Sequence, residues 1–248
     1  MEQEKKLAVL IDGENIAPKY VETILKEANA IGNVIYKRVY GNWTSNDLKS
    51  WKNIILDNAL QPIQQFNNVS GKGASDSALI IDAMDLLYKQ HLNGFCIVSS
   101  DSDFTRLATR LKESEMYIVG MGEQKTPTSF VSACNVFKYL DILFAAEDKP
   151  AEVKNASKEN KESKTGEAKT ALDLEAIKKV LKQLASENSD EDGWVFAAKL
   201  SALLIKQFPD FDARNFGSPK FTPFIDSLAL FEKKRGEENP KLIYFKLK

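Results

Sequence analysis

Three short stretches of the chain carry side chains that could do chemistry. VLIDGEN (residues 9–15) ends an apolar run with Asp12 and Asn15. SGKGASDS (70–77) brings Lys72 and Asp76, and IVSSDSDF (97–104) ends a second apolar run with Ser99, Ser100, Asp101 and Asp103. Taken singly, each acid can be a helix cap worth about 1 kcal/mol. Taken together they spend more charge than caps require, and converging carboxylates repel and raise one another's pKa unless something positive lies among them. Lys72 and Arg106 are the nearest cations in the sequence. A hard divalent ion would relieve the conflict, and an all-oxygen donor set without His or Cys selects Mg²⁺ or Mn²⁺ over zinc. Asp12, Asp76, Asp101 and Asp103 are therefore the expected metal ligands, in the setting of phosphodiester hydrolysis.

Around these acids stand groups suited to a phosphate or a base. The Asn15 amide can hold Asp12 or a phosphate without adding charge, and Ser99 and Ser100 can donate hydrogen bonds. Lys72 lies between Gly71 and Gly73, which let the backbone approach a phosphate closely, although a surface turn with an incidental lysine fits as well. Arg106 follows the second acidic run. Trp43, in VYGNW, can stack on a base or pack in the core. Asp82 lies six residues beyond Asp76, on a different face of any helix that contains both.

The elements that must position these residues alternate. KLAVLIDG, NVIYKRVYG, GFCIVSS and MYIVGMG are short runs rich in β-branched or aromatic residues, each closed by Gly or Ser. Helical patterns lie between them: APKYVETILKEANAIG, SNDLKSWKNIILDNA, SDSALIIDAMDLLYKQH and SDFTRLATRLKESE. This alternation predicts an α/β fold, a parallel sheet with helices on both faces and ligands beyond the carboxyl ends of the strands. From residue 147 to 170 the composition shifts to Lys, Glu, Ala, Ser and Asn, which reads as a flexible charged linker. Residues 171–248 recover a core pattern: three amphipathic helices, then two short strands about a polar turn at Gly236–Pro240, the order of a winged helix-turn-helix.

Composition narrows the remaining classes. With 248 residues, a net charge of −1 and a pI near 6.0, the chain has room for two modest domains, and any nucleic-acid surface must be local. The single histidine, His91, argues against a Ser-His-Asp triad or a His-rich zinc site. Cys96 and Cys134 sit among apolar neighbours and read as buried thiols of a reducing, cytoplasmic compartment. The charged opening MEQEKK is not a signal peptide, and no apolar run approaches the length of a membrane helix.

VLIDGENI, VYGNW, GKGASDSALIIDAMDLL, IVSSDSDF and KTPTSFVSACNVFKYLD, in that order, resemble the NYN domain, a PIN-like nuclease family, and in particular its LabA-like branch. The resemblance covers residues 5 to about 145. It implies a PIN-like, Rossmann-like fold and Mg²⁺- or Mn²⁺-dependent ribonuclease activity. The family's acidic positions fall on Asp12, Asp76, Asp101 and Asp103, with Asn15 and Ser99 beside them. Residues 171–248 resemble the LOTUS or OST-HTH domain, through the GWVFAAKLSALL helix, FDARNFGSPKFTPFIDSL and a wing ending in YFKLK. That resemblance implies binding of RNA, or of a protein partner such as the helicase that some animal members bind. Arg214, Lys220, Lys233, Lys234, Arg235, Lys241, Lys246 and Lys248, with Phe216 and Phe221 nearby, would form the RNA surface; equally, the cations are solvated charge and the aromatics core.

The sequence thus predicts an NYN nuclease domain over 1–146, a linker over 147–170 and a LOTUS domain over 171–248. The expected function is a metal-dependent endoribonuclease with a C-terminal RNA-binding module. The alternative is a non-catalytic RNA-binding or regulatory adaptor that uses the same acids structurally. A metal-dependent phosphatase is a weaker rival, since Asp12 is followed by Gly13 and Glu14 and not by a second nucleophilic Asp.

Overall fold

A computed structural model describes residues 4–66, 74–89, 91–147, 173–236 and 239–248. In the first part, strands β1 (Lys6–Asp12), β2 (Asn33–Gly41), β3 (Gln61–Gln64), β4 (Gly94–Val98), β5 (Tyr117–Gly122) and β6 (Val136–Tyr139) form one sheet in the order β3-β2-β1-β4-β5-β6. Every neighbouring pair is parallel. The helices are α1 (Val21–Ile31), α2 (Trp51–Asp57), α3 (Ala74–Lys89), α4 (Thr105–Glu113), α5 (Thr128–Ala133) and α6 (Leu140–Glu147).

Strand alternation divides the core in two. Ala8, Leu10, Phe95 and Ile97 face one layer with Leu79, Ala83 and Leu86 of α3, Leu107 and Leu111 of α4 and Phe130 of α5. Leu7, Val9, Ile11, Cys96 and Val98 face the other with Ile24 and Ala28 of α1, Trp51 of α2 and Leu140 of α6. Covering both faces is what makes the central strands continuous apolar runs. Cys96 and Cys134 are buried free thiols.

The strand order creates a particular place. From β1 the chain moves outward to β2 and β3, then returns to lay β4 on the other side of β1. Beyond the carboxyl ends of β1 and β4 the connections diverge, which opens a crevice at the switch point of an α/β sheet. Asp12 ends β1, and Ser99 to Asp103 follow β4, so both acidic motifs flank that crevice. α3 is fixed to the sheet through Asp82, which accepts hydrogen bonds from Arg38 and from the Tyr40 hydroxyl, both on β2. Asp82 thus anchors the helix whose first turn carries Asp76, and it stands apart from the other acids.

In the second part, α7 (Leu174–Asn188), α8 (Ala197–Gln207) and α9 (Phe221–Ser227) pack with an antiparallel sheet of order β7-β9-β8, where β7 is Val195–Phe196, β8 is Phe231–Arg235 and β9 is Ile243–Leu247. A separate core of Ile177, Leu181, Leu200, Leu204, Phe224 and Phe245 holds it together. The charged stretch expected at 147–170 lies outside the described residues, except that Glu147 ends α6 and accepts a hydrogen bond from Thr23.

Gly120 of β5 shows how tight the sheet core is. A Cβ there would press into the Phe137 ring and the Cys134 sulfur. Gly120→Ala is expected to destabilise the protein by about 1–3 kcal/mol through overpacking. The change should appear as a lower urea midpoint with an unchanged slope.

Candidate metal centre

Asp12 is the buried member of the site, only 3% exposed. One of its oxygens, Oδ1, accepts the backbone N–H groups of Glu14 and Asn15, each at 3.2 Å. The other, Oδ2, accepts the Ser99 hydroxyl at 2.9 Å. Asp12 therefore organises the loop after β1 and ties it to the end of β4; it does not cap α1, whose helical path begins with a tight turn at Pro18–Tyr20. Burial pushes its carboxyl up, the Ser99 hydrogen bond pulls it back, the charge of Asp76 adds to the rise, and the result is about 6.

The β4 loop is built from its own serines. The Ser99 oxygen accepts the Asp101 N–H at 3.1 Å, and the Asp101 carboxylate accepts the Asp103 N–H at 2.9 Å, capping the turn Ser102–Phe104. Asn15 reaches across, its side-chain oxygen accepting the Ser100 N–H at 3.0 Å, and the Ser100 hydroxyl accepts the Glu123 N–H at 2.9 Å. Asn15 and Ser100 thus lock three loops together. Asp76 lies in the first turn of α3, where a carboxylate suits the helix dipole.

These placements bring one oxygen each from Asp76, Asp101 and Asp103 within 4.8 Å of one another, with Asp103 exposed. Asp12 is not in that group; it stands behind, connected through Ser99. The Asp76 carboxyl is raised by burial and then by the charges of Asp101, Asp103 and Glu14. Carboxylates crowded this closely are what a cation between them would relieve. Opposite ligands of an ion with bonds of 2.0–2.1 Å stand about 4 Å apart, so oxygens within 4.8 Å of one another are near enough to share one ion. An all-carboxylate donor set fits Mg²⁺ or Mn²⁺.

Glu14 is a member that the sequence did not reveal. Its carboxylate accepts the Ser75 hydroxyl at 2.9 Å and the Asn42 N–H at 3.1 Å, so it clamps the start of α3 to the loops after β1 and β2. The DGEN spacing gave a hint, but its partners lie 28 and 61 residues away.

The other expected site residues have different settings. Lys72 lies outside the described residues. Arg106 is exposed in the first turn of α4. Trp43 is half-buried and packs in part against the core: its indole N–H donates to the Ile63 carbonyl at 3.0 Å, and its ring meets Trp51 edge to face. Phe216 and Phe221 pack against Phe211, within the aromatic cluster of the C-terminal core. Arg214 is half-buried and its guanidinium is engaged within the protein, by Glu27 of α1 and by Asp212. Lys233 pairs with Asp226. Lys234 lies over the Trp194 ring, 4.4 Å from its centre.

The model of the NYN domain matches residues 6–141, more than half of the 248 residues. The chain belongs to the NYN family. An OST-HTH/LOTUS domain model matches residues 173–243 behind it. NYN domains are part of the PIN-like nuclease superfamily, and the LOTUS module adds an RNA-binding association, so the pair points to an RNA-related nuclease or binder. Among curated proteins, none matches significantly. A protein of unknown function, VPA0982, from Vibrio parahaemolyticus RIMD 2210633 has a similar solved structure at 16% identity and a TM-score of 0.47; the match covers 55% of this chain and 93% of that one. No helix among the described residues is long and apolar enough to cross a membrane.

The raised Asp12 carboxyl gives a signed expectation for stability. A folded-state value of about 6 lies above the unfolded value near 3.9, so the ionised form is disfavoured by folding. That penalty is present above pH 6 and disappears as the pH falls toward 4. In metal-free buffer, Asp12→Asn should stabilise the NYN domain by about 1–3 kcal/mol at pH 8, by about half as much at pH 5 and by little at pH 4, so the two pH values to compare are 8 and 4. Paired denaturant titrations at the two pH values measure it; a gain that is equal at both would contradict the assignment.

Proposed function

We propose that this NYN protein is a Mg²⁺- or Mn²⁺-dependent endoribonuclease that hydrolyses RNA phosphodiester bonds, with its LOTUS domain contributing RNA binding. The observation that carries the reading is the convergence of Asp76, Asp101 and Asp103 oxygens within 4.8 Å at the sheet's switch point. Those three residues would hold the ion. Bound there, a divalent ion supplies an activated water and stabilises charge on the phosphorus centre.

The chain's own residues do the rest. Asp12 keeps Ser99 oriented, and Ser99 in turn holds the Asp101 N–H, so Asp12 acts as a positioning residue for a ligand. Asn15 and Ser100 fix the loops on either side of the crevice. Glu14 and Ser75 hold the helix that presents Asp76. Asp103 and Arg106 lie on the exposed side, where a phosphate backbone would arrive.

One observation favours the adaptor reading instead: Asp101 also caps a turn, a purely structural task. Asp101→Asn separates the two readings, because Asn caps about as well as Asp but is a poor ligand for a hard cation. With labelled RNA and DNA and millimolar Mn²⁺, the parent should cut RNA, and Asp101→Asn should lose roughly 100-fold or more, beyond the loss typical of removing an outer-sphere partner. Chelation should abolish cutting in the parent. An adaptor would show no metal-dependent cutting, and its RNA binding would be indifferent to Asp101→Asn.

Metal binding has a readout independent of turnover. Mn²⁺ should raise the unfolding temperature of the parent, because an ion that binds only the folded state stabilises it by mass action. Asp76→Asn should blunt that rise.

A further inference from the structure

The C-terminal domain does not hang from the NYN domain by covalent connection alone. Arg214 donates two hydrogen bonds to the Glu27 carboxylate, at 2.6 and 2.9 Å, in the forked geometry that a guanidinium and a carboxylate share. The same guanidinium donates to Asp212 at 3.0 and 2.8 Å. Lys138 of β6 donates to Asp212 at 2.6 Å and lies 3.8 Å from Glu27. The four charges balance, and they alternate in origin: Glu27 and Lys138 come from the NYN domain, Asp212 and Arg214 from the C-terminal domain.

The setting is buried. Side-chain exposure is 10% for Glu27, 11% for Asp212 and 16% for Lys138. Burial pushes the Asp212 carboxyl up, but Arg214 and Lys138 overcome it and hold the carboxyl well below the usual range. Two neutral contacts extend the junction: the Tyr139 hydroxyl donates to Asp210 at 2.8 Å, and the Phe137 N–H donates to the Pro209 carbonyl at 2.7 Å. Phe137 lies on β6, the last strand of the sheet, so Pro209 meets an edge that would otherwise offer unpaired backbone groups.

We propose that Glu27, Lys138, Tyr139 and the outer edge of β6 form a docking surface whose occupant is the 209–214 segment of this chain's own C-terminal domain, making the two domains one working body. Two features argue for that occupant. The first is the charge complementarity across the junction. The second is the backbone hydrogen bond to the strand edge, which fixes position as well as attraction. Buried ion pairs of this kind set register more than they add stability. None of the interdomain hydrogen bonds or ion pairs described above uses β7, β8 or β9, so docking leaves the wing, with Lys234 and Lys246 beside Trp194, outside the junction. The inference does not depend on nuclease activity.

Distance measurements on the intact chain test it. Cys96 and Cys134 are buried, so spin labels on Lys52→Cys and Lys182→Cys, both at exposed positions, report on the two domains selectively. Docked domains give one narrow distance distribution without RNA or metal. If residues 148–172 acted as a flexible chain and as the only link, its two ends would stand a root-mean-square distance of about 25–30 Å apart, and the label separation would be correspondingly broad. Glu27→Lys, which sets a third cation against Arg214 and Lys138, should broaden the distribution to that of a tethered pair. Arg214→Gln cuts the same contact from the other domain and should do likewise, so misfolding in one variant leaves the other to decide. A broad distribution in the parent would overturn the proposal, and so would a narrow one that survives both substitutions in folded protein.

Discussion

A parallel sheet sealed on both faces leaves few places where charge can meet water, and the strand ends are the chief of them. In this protein that constraint gathers acidic side chains beyond β1 and β4, the adjacent strands from which the chain leaves in opposite directions. Asp12 sits nearly buried at that point and holds a hydroxyl from the neighbouring strand end, so two loops are bound to one carboxylate. The price is a carboxyl whose ionised form is disfavoured in the folded state. Loop organisation and stability are opposed at this residue.

Much of this was legible in the sequence because burial and punctuation are local signals. The four central strands stand out as apolar runs closed by Gly or Ser, and the acids stand out because they interrupt or follow those runs. The edge strands do not. QPIQ is polar and contains Pro62, tolerated on an edge because a ladder partner is lacking on one side, and VFKY has four residues between two short helices. Neither is long enough to show a period. The acidic set was readable as a set, but its internal division was not. Asp12 stands behind the cluster and Asp82 anchors α3 to β2, distinctions made by three-dimensional contacts with Ser99, Arg38 and Tyr40.

The C-terminal domain shows the limit of reading cations by position. Arg214 lies in a stretch that resembles a nucleic-acid-binding entry, yet its partner Glu27 is 187 residues away in sequence. No local pattern announces such a pair. Phe216 and Phe221, by contrast, follow the ordinary expectation for aromatics in a small domain, where Phe211 and Phe224 need neighbours to fill the core.

The meeting of Phe137 with Pro209 bears on how the protein can be divided. A chain that stopped after α6 would keep its central strands intact but present β6 to solvent with its hydrogen-bonding side bare, next to an apolar Phe137 and a lysine stripped of its acidic partner from the second domain. Such a fragment would leave the Phe137 N–H on that edge without the Pro209 carbonyl that meets it in the whole chain.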